Sequence, residues 1–411
     1  FLPILSNLLT HETIGSVLYI SPLKALINDQ WERLDRLCEL LDMPVVAWHG
    51  DVSSSKKHQF LKNPQGILLI TPESLEALFV RRGTAVSGLM ANLRYIVIDE
   101  IHSFMGTERG KQLQSLLHRI DLAVQRIVPR VGLSATLGDM KLATQFLRPH
   151  TLQAIRLIVA DSAQQELKIL LKGYVQSAEI SLADEDDIEN VSAHASKQVA
   201  AHLYQVLLGS NNLVFPNTRQ KVEEYTDTLR RLCEKDGVPN QFWAHHGSLS
   251  KEYREDTEQA LKDKSSSATA ICTSTLELGI DIGHVKSICQ IGSPPSVASL
   301  RQRLGRSGRR KGEAAILRSY CIEKALKPDS ALSDAIREEL VQTIAMINLL
   351  LKGWFEPPRI NGLHYSTLVQ QILSLIAQKG GSTAGELWQA LVSEGPFSGI
   401  QRQDFLSLLS F

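Results

Sequence analysis

Tyr95-Ile96-Val97-Ile98-Asp99-Glu100-Ile101-His102 is the stretch on which the fold turns. Four apolar residues run without alternation and then stop at two carboxylates. A strand with one wet face alternates apolar and polar residues; a strand covered on both faces does not. The run therefore reads as an inner strand of a parallel sheet. Working outward, the same pattern recurs in Val17-Leu18-Tyr19-Ile20, Val45-Val46-Ala47-Trp48 and Ile67-Leu68-Leu69-Ile70, each ending in a polar loop. Helical periodicity lies between them. Its clearest case is Leu113, Leu116, Leu117, Ile120, Val124 and Ile127, at spacings of three and four. Alternating strands and helices predict a doubly wound α/β domain over residues 1–160.

The acidic stretch Asp184 to Glu189 is poor in apolar residues and reads as a solvated loop, with a domain join a little before it. The α/β pattern then restarts over 161–325, with strand candidates Leu213-Val214-Phe215, Gln241-Phe242-Trp243, Ala270-Ile271-Cys272 and Ser287-Ile288-Cys289. From about residue 325 helices take over. In 326–411, connecting helices lead to three short helices; Val369, Ile372, Leu373 and Ile376 share a face, and Ser382-Thr383 suits an N-cap. This resembles the start of a winged helix without its β-wing.

A chain of 411 residues is too long for one ordinary core. Its 43% apolar and 21% charged residues fit a soluble globular protein. Lys plus Arg equals Asp plus Glu, 44 each, so any phosphate-binding surface is local rather than global. The five cysteines form no CxxC pair, which speaks against a zinc site and a disulfide framework and for a reducing compartment. No apolar run reaches the length of a membrane span, and no signal peptide is visible. A cytoplasmic protein with no membrane partner is the expectation.

Four segments carry chemistry. Asp99-Glu100 sits where ligands bind in open α/β sheets, beyond a strand's carboxyl end. One carboxylate there can hold Mg²⁺ and the other direct an attacking water; a plain solvated Asp-Glu pair is the other reading. Ser134-Ala135-Thr136 offers two hydroxyls, or a simple turn. Thr273-Ser274-Thr275-Leu276-Glu277-Leu278-Gly279-Ile280-Asp281-Ile282-Gly283 follows a strand and mixes hydroxyls, a glycine and an aspartate for close ligand approach, or is a structural turn. Most specific is Arg301-Gln302-Arg303-Leu304-Gly305-Arg306-Ser307-Gly308-Arg309-Arg310-Lys311. Arg306 and Arg309, three apart, can face alike on a helical turn, and their planar forks suit a phosphoryl group. A basic surface helix is the competing reading, which the glycines disfavour.

Taken in order, these segments resemble the superfamily 2 helicase motifs, from Ia through VI. The set comprises Ser21-Pro22-Leu23-Lys24-Ala25-Leu26, Thr71-Pro72-Glu73-Ser74, Asp99 to His102, Ser134-Ala135-Thr136, Phe215-Pro216-Asn217-Thr218-Arg219, His245-His246-Gly247-Ser248, the Leu276 to Gly283 run and Gln302 to Arg309. The Leu-Glu-Leu-Gly-Ile-Asp-Ile-Gly run followed by Ser293-Pro294-Pro295-Ser296-Val297 is most similar to the Lhr (large helicase-related) group. The resemblance implies two RecA-like lobes that close on ATP and step along a nucleic acid, DNA rather than RNA, with 3′-to-5′ polarity. It implies that Asp99 holds Mg²⁺ and Glu100 acts on the hydrolytic water. It implies coupling between lobes by His102, Ser134 and Thr136, γ-phosphate contacts by Gln302, Arg306 and Arg309, and nucleotide approach by Gly279 and Asp281. Strand contacts fall to Ser21, Lys24, Thr71, Thr218, Arg219, His246, Gly247 and Thr273. The substrate strand is single-stranded or duplex; the pathway, whether repair, restart or defence, is left open.

One part of the set is missing from these 411 residues. The phosphate loop GxxxxGK[ST], whose backbone N–H groups and Lys hold the β- and γ-phosphates, does not occur, nor does a glutamine-type adenine segment. The first residue is Phe1, so a Gly-rich loop ending in Gly-Lys-Thr or Gly-Lys-Ser is expected within roughly ten residues upstream. The 411-residue polypeptide alone is expected to show no strand-stimulated ATPase in a phosphate-release assay. Measurable turnover would mean that the phosphate site lies elsewhere. Two other readings remain at this stage: an RNA-directed remodeller, since backbone contacts carry no 2′-OH signature, and a non-catalytic nucleic-acid-binding module.

Overall fold

The computed structural model describes the chain except residues 11–14, 51, 53, 135–138, 149–154, 160–165, 177–186, 264, 311, 361 and 411. It forms two compact units, Phe1–Ile158 with Pro357–Phe411, and Val159–Glu356. Both are RecA-like α/β lobes. Residues 326–411 are therefore divided: those up to Glu356 pack with the second lobe and those from Pro357 onward with the first.

The first lobe holds β1 (Ser16–Ile20), β2 (Val45–Trp48), β3 (Gly66–Ile70), β4 (Leu93–Ile98) and β5 (Arg130–Gly132). All are parallel, in the order β2-β3-β1-β4-β5. Every residue of β1 and β3 is buried, which is what the unbroken apolar runs required. Tyr19 of β1 lies in register with Leu69 of β3 and Val97 of β4.

The helix Glu108–Val124 buries Leu113, Leu116, Leu117 and Ile120. Ile127, expected on the same face, is 58% exposed. The helix ends before it because Gln125 turns left-handed at φ 53°.

The second lobe has six parallel strands where the sequence showed four: β6 (Leu167–Gln176), β7 (Asn212–Pro216), β8 (Phe242–His245), β9 (Thr269–Cys272), β10 (Ser287–Ile291) and β11 (Ala315–Lys324). Their order is β6-β11-β10-β7-β9-β8. β6 and β11 pair in parallel over ten residues. Each holds a short apolar run, Ile169-Leu170-Leu171 in β6 and Ala315-Ile316-Leu317 in β11, which polar neighbours obscure. β6 is an edge strand, largely exposed and interrupted by Lys168, Lys172 and Gly173, and β11 carries Arg318 and Ser319.

The C-terminal residues are helical, Tyr365–Lys379, Ala384–Trp388 and Arg402–Leu409, with no strand among the described residues there. Thr383 caps the second helix through a capping box with Glu386. The buried face of Tyr365–Lys379 differs from the expected one. Val369 and Leu373 are exposed, whereas Leu368, Ile372 and Leu375 are buried with the polar Gln371 and Ser374. Those polar residues meet a buried ion pair of the first lobe. Arg119 bonds Glu76 at 3.0 Å, Gln371 and Ser374 at 3.1 Å and Gln378 at 2.5 Å, and stacks over the Phe79 ring. A face that must satisfy a buried charge cannot be found by apolar spacing.

Candidate functional site

In the first lobe the candidate residues gather at the carboxyl ends of the strands: Ser21 after β1, Thr71 after β3, Asp99 and Glu100 after β4, and Ser134 close behind β5. The strands dictate this. Asp99 N–H donates to Ile20 O at 2.9 Å, and Leu133 N–H to Ile98 O at 2.9 Å. Glu100 then adopts φ 47°, ψ 47°, a left-handed conformation that reverses the chain at the strand end.

Both carboxylate oxygens of Asp99 are oriented by donors. Glu100 N–H donates to Oδ1 at 3.0 Å, and the Tyr19 hydroxyl donates to Oδ2. Burial raises the Asp99 pKa, opposed by those two bonds. The Tyr19 pKa is raised, first by burial and then by the neighbouring Asp99 charge. Each Asp99 oxygen keeps a further lone pair. Among the described residues no group of three or more His, Cys, Asp or Glu is arranged to hold a metal ion. The remaining acceptor capacity of Asp99 suits a hard divalent cation that would take its other ligands from water and phosphate oxygens.

His102 Nδ1 lies 2.8 Å from Ser134 Oγ and 3.4 Å from Glu100 Oε2. The resemblance grouped His102, Ser134 and Thr136 as coupling residues, and the structure puts His102 against Ser134 and against the catalytic candidate Glu100. Thr136 lies outside the described residues. Burial lowers the His102 pKa from 6.5 to about 4. A histidine whose folded pKa is depressed is neutral in the native state and must be charged on unfolding at acid pH. Stability is therefore expected to rise with pH across the window from about 4 to 6.5, with a total of about 3 kcal/mol at most. Denaturant midpoints from pH 4 to 7 measure it. His102→Gln should remove that slope; an unchanged slope would assign it to another group.

Ser21 is fully buried; its N–H donates to Ile70 O at 3.1 Å. Thr71 is the N-cap of helix Pro72–Arg82 and accepts from Ser74 N–H at 3.3 Å. Lys24 begins the helix Lys24–Glu39 on an exposed position.

The second lobe divides its candidates between the two ends of one sheet. Thr218 follows β7, His246 and Gly247 follow β8, and Thr273 follows β9, all at carboxyl ends. Thr218 caps the helix Arg219–Asp236, Arg219 donates to Ser248 Oγ at 2.7 Å, and His246 Nε2 lies 2.7 Å from Glu223. Ser248 N–H reaches His246 Nδ1 at 3.3 Å, so Nδ1 accepts and Nε2 carries the proton toward Glu223. The chain then crosses the sheet. Asp281, Gly283, Arg309 and Arg310 line a cavity of about 880 Å³ with Asn211 and Lys286, which immediately precede β7 and β10. Asp281 and Arg309 thus stand together at the amino ends. Gly279 lies on the crossing segment, and Gln302 on the helix Val297–Leu304.

Arg306 and Arg309 do not face alike. The helix stops at Leu304, so their spacing no longer places them on one face. Arg306 is 5% exposed and donates to Glu277 O at 2.8 and 3.1 Å and to Ile280 O at 3.2 Å. Arg309 is exposed, with Nε on Gly305 O at 3.1 Å. Beneath them lies a buried network that motif reading missed. Arg303 bonds Glu277 at 2.9 and 3.0 Å and Gln290 at 2.5 Å, and Gln290 donates to Asn217 at 3.3 Å. Tyr19 was missed as well. The signal for both was chemical: a phenol in an aliphatic strand, and an arginine between apolar helix positions.

The five cysteines are free and buried, and no helix among the described residues is long and apolar enough to cross a membrane.

Comparison with known proteins agrees with this arrangement. Residues 1–145 match the DEAD/DEAH box helicase family, and residues 197–311 the helicase conserved C-terminal domain. An ATP-dependent helicase Lhr-Core of Methanothermobacter thermautotrophicus is 27% identical over 96% of this chain and 44% of its own length. The Saccharolobus solfataricus Lhr-Core helicase is 31% identical over 71% of this chain and 33% of its own. The solved structure of Mycobacterium smegmatis helicase Lhr bound to ssDNA and AMP-PNP superposes with a TM-score of 0.77 at 28% identity, covering all of this chain and 51% of that one. The chain spans about half or less of the length of these relatives.

Proposed function

Given that this chain belongs to the superfamily 2 helicases of the Lhr group, we propose that it is the motor core of an ATP-driven translocase. It acts on DNA with 3′-to-5′ polarity. The observation that carries this reading is the Asp99–Glu100 pair, held at the end of β4 by Tyr19, a backbone N–H and the His102–Ser134 contact. A module that only bound strands would have no use for a carboxylate oriented in that way.

In this reading Asp99 holds Mg²⁺, which supplies charge neutralisation on the phosphates when bound. Glu100 orients the attacking water and accepts its proton. Arg309 meets the γ-phosphate with Gln302 nearby, while Gly279 and Asp281 approach the nucleotide. Arg306 holds the crossing segment through the Glu277 and Ile280 carbonyls, so its contribution to ATP turnover is to shape that segment. Lys24, Thr71, Thr218, Arg219, His246, Gly247 and Thr273 contact the strand, whereas Ser21, fully buried after β1, supports that edge of the sheet from beneath. Hydroxyls, backbone and a few cations at carboxyl strand ends suit sequence-independent grip on phosphates. That the M. smegmatis relative was solved with ssDNA supports DNA as the substrate.

The test is strand displacement by the full-length protein on matched DNA and RNA duplexes carrying 3′ or 5′ single-stranded tails. The expected result is ATP-dependent displacement of the 3′-tailed DNA duplex. Preference for the RNA duplex would make the protein an RNA remodeller. Strand binding without any ATP turnover would make it a non-catalytic module.

A further inference from the structure

We propose that Tyr19 is the positioning residue for the metal-holding carboxylate: its buried hydroxyl fixes the orientation in which Asp99 meets Mg²⁺. The inference rests on the reading of Asp99 given above.

Tyr19 is 1% exposed, in the middle of the sheet between β3 and β4. It belongs to a buried cluster with Val17, Ile67, Leu69 and Val97, and its ring lies 5.6 Å from that of Phe1. A hydroxyl there loses its water on folding and is costly without a partner. Phenylalanine would fill the same space at no such cost. The partner the hydroxyl has is Asp99 Oδ2.

The geometry of the contact explains its use. Glu100 N–H pins Oδ1 from the chain's own side, and Tyr19 pins Oδ2 from the adjacent strand. Two donors on different oxygens fix both the direction and the tilt of the carboxylate. One lone pair on each oxygen stays available. Mg²⁺ demands near-ideal octahedral geometry and tolerates a swinging ligand poorly. Residues that orient a metal ligand in this way commonly matter almost as much as the ligand.

The experiment uses the full-length protein, Mn²⁺ as a paramagnetic probe and a non-hydrolysable ATP analogue. Mn²⁺ binding is read by electron paramagnetic resonance for wild type, Tyr19→Phe, Asp99→Ala and the double variant. Tyr19→Phe is expected to weaken Mn²⁺ binding about tenfold, with nucleotide-free single-strand affinity nearly unchanged. The double variant should match Asp99→Ala. Para-aminophenylalanine at position 19, which keeps a donor, should restore Mn²⁺ affinity, whereas a purely packing role predicts no rescue. Mn²⁺ affinity unchanged in Tyr19→Phe but lost in Asp99→Ala overturns this inference alone. So does additivity in the double variant, or failure of the amino analogue to rescue. Mn²⁺ binding that survives Asp99→Ala overturns the metal reading of Asp99 itself.

Discussion

Glu100→Gln in the full-length protein is expected to lower kcat on the order of 10³-fold, to the edge of detection, while ATP and strand binding persist. The amide keeps the size of the side chain and its hydrogen-bonding reach. It cannot accept the proton of the attacking water. Glu100 sits in a left-handed turn directly after β4, and its carboxylate lies 3.4 Å from His102 Nδ1. Gln at this position should not disturb the turn, because the backbone bonds that make it, Ile101 N–H to Leu133 O and Ser103 N–H to Glu100 O, involve no side chain. Steady-state phosphate release together with fluorescent-nucleotide binding separates the two effects. Near-normal turnover in Glu100→Gln would remove the assignment.

The second large effect concerns the two arginines, and the structure separates what their spacing had joined. Arg309→Ala should lower kcat about 10³-fold or more, as loss of an arginine finger does. It should leave thermal stability and strand affinity close to wild type, since the guanidinium is exposed and, among the described residues, bonds Gly305 O. Arg306→Ala should instead destabilise the second lobe by on the order of 3 kcal/mol, because the Glu277 and Ile280 carbonyls lose charged donors in a buried place. Calorimetric unfolding alongside ATPase measurement distinguishes them. If Arg306→Ala abolishes turnover with no loss of stability, both arginines act on phosphate. If Arg309→Ala abolishes strand binding while hydrolysis continues, the run is a phosphate-tracking patch.

The sequence by itself determined the class of the fold and the address of much of the site. Short apolar runs that each stop at a polar loop read as strands covered on both faces, and β1, β3 and β4 lie where Val17–Ile20, Ile67–Ile70 and Tyr95–Ile98 placed them. Once such strands are parallel, the residues that follow them share one edge of the sheet, so Ser21, Thr71 and Asp99 come together without further information. What only the tertiary structure decided depends on contacts between distant segments. β6 is an edge strand held by ten residues of β11, although lysines and a glycine break up its apolar residues. The face of Tyr365–Lys379 was set by a buried charge on Arg119, some 250 residues away in the chain, which periodicity does not sense. The separate fates of Arg306 and Arg309 followed from the helix ending at Leu304, after which a spacing of three fixes no common direction. Tyr19 read as one more core residue until the fold brought Asp99 to its hydroxyl, because a chain records which groups it carries but not which of them will lose water together.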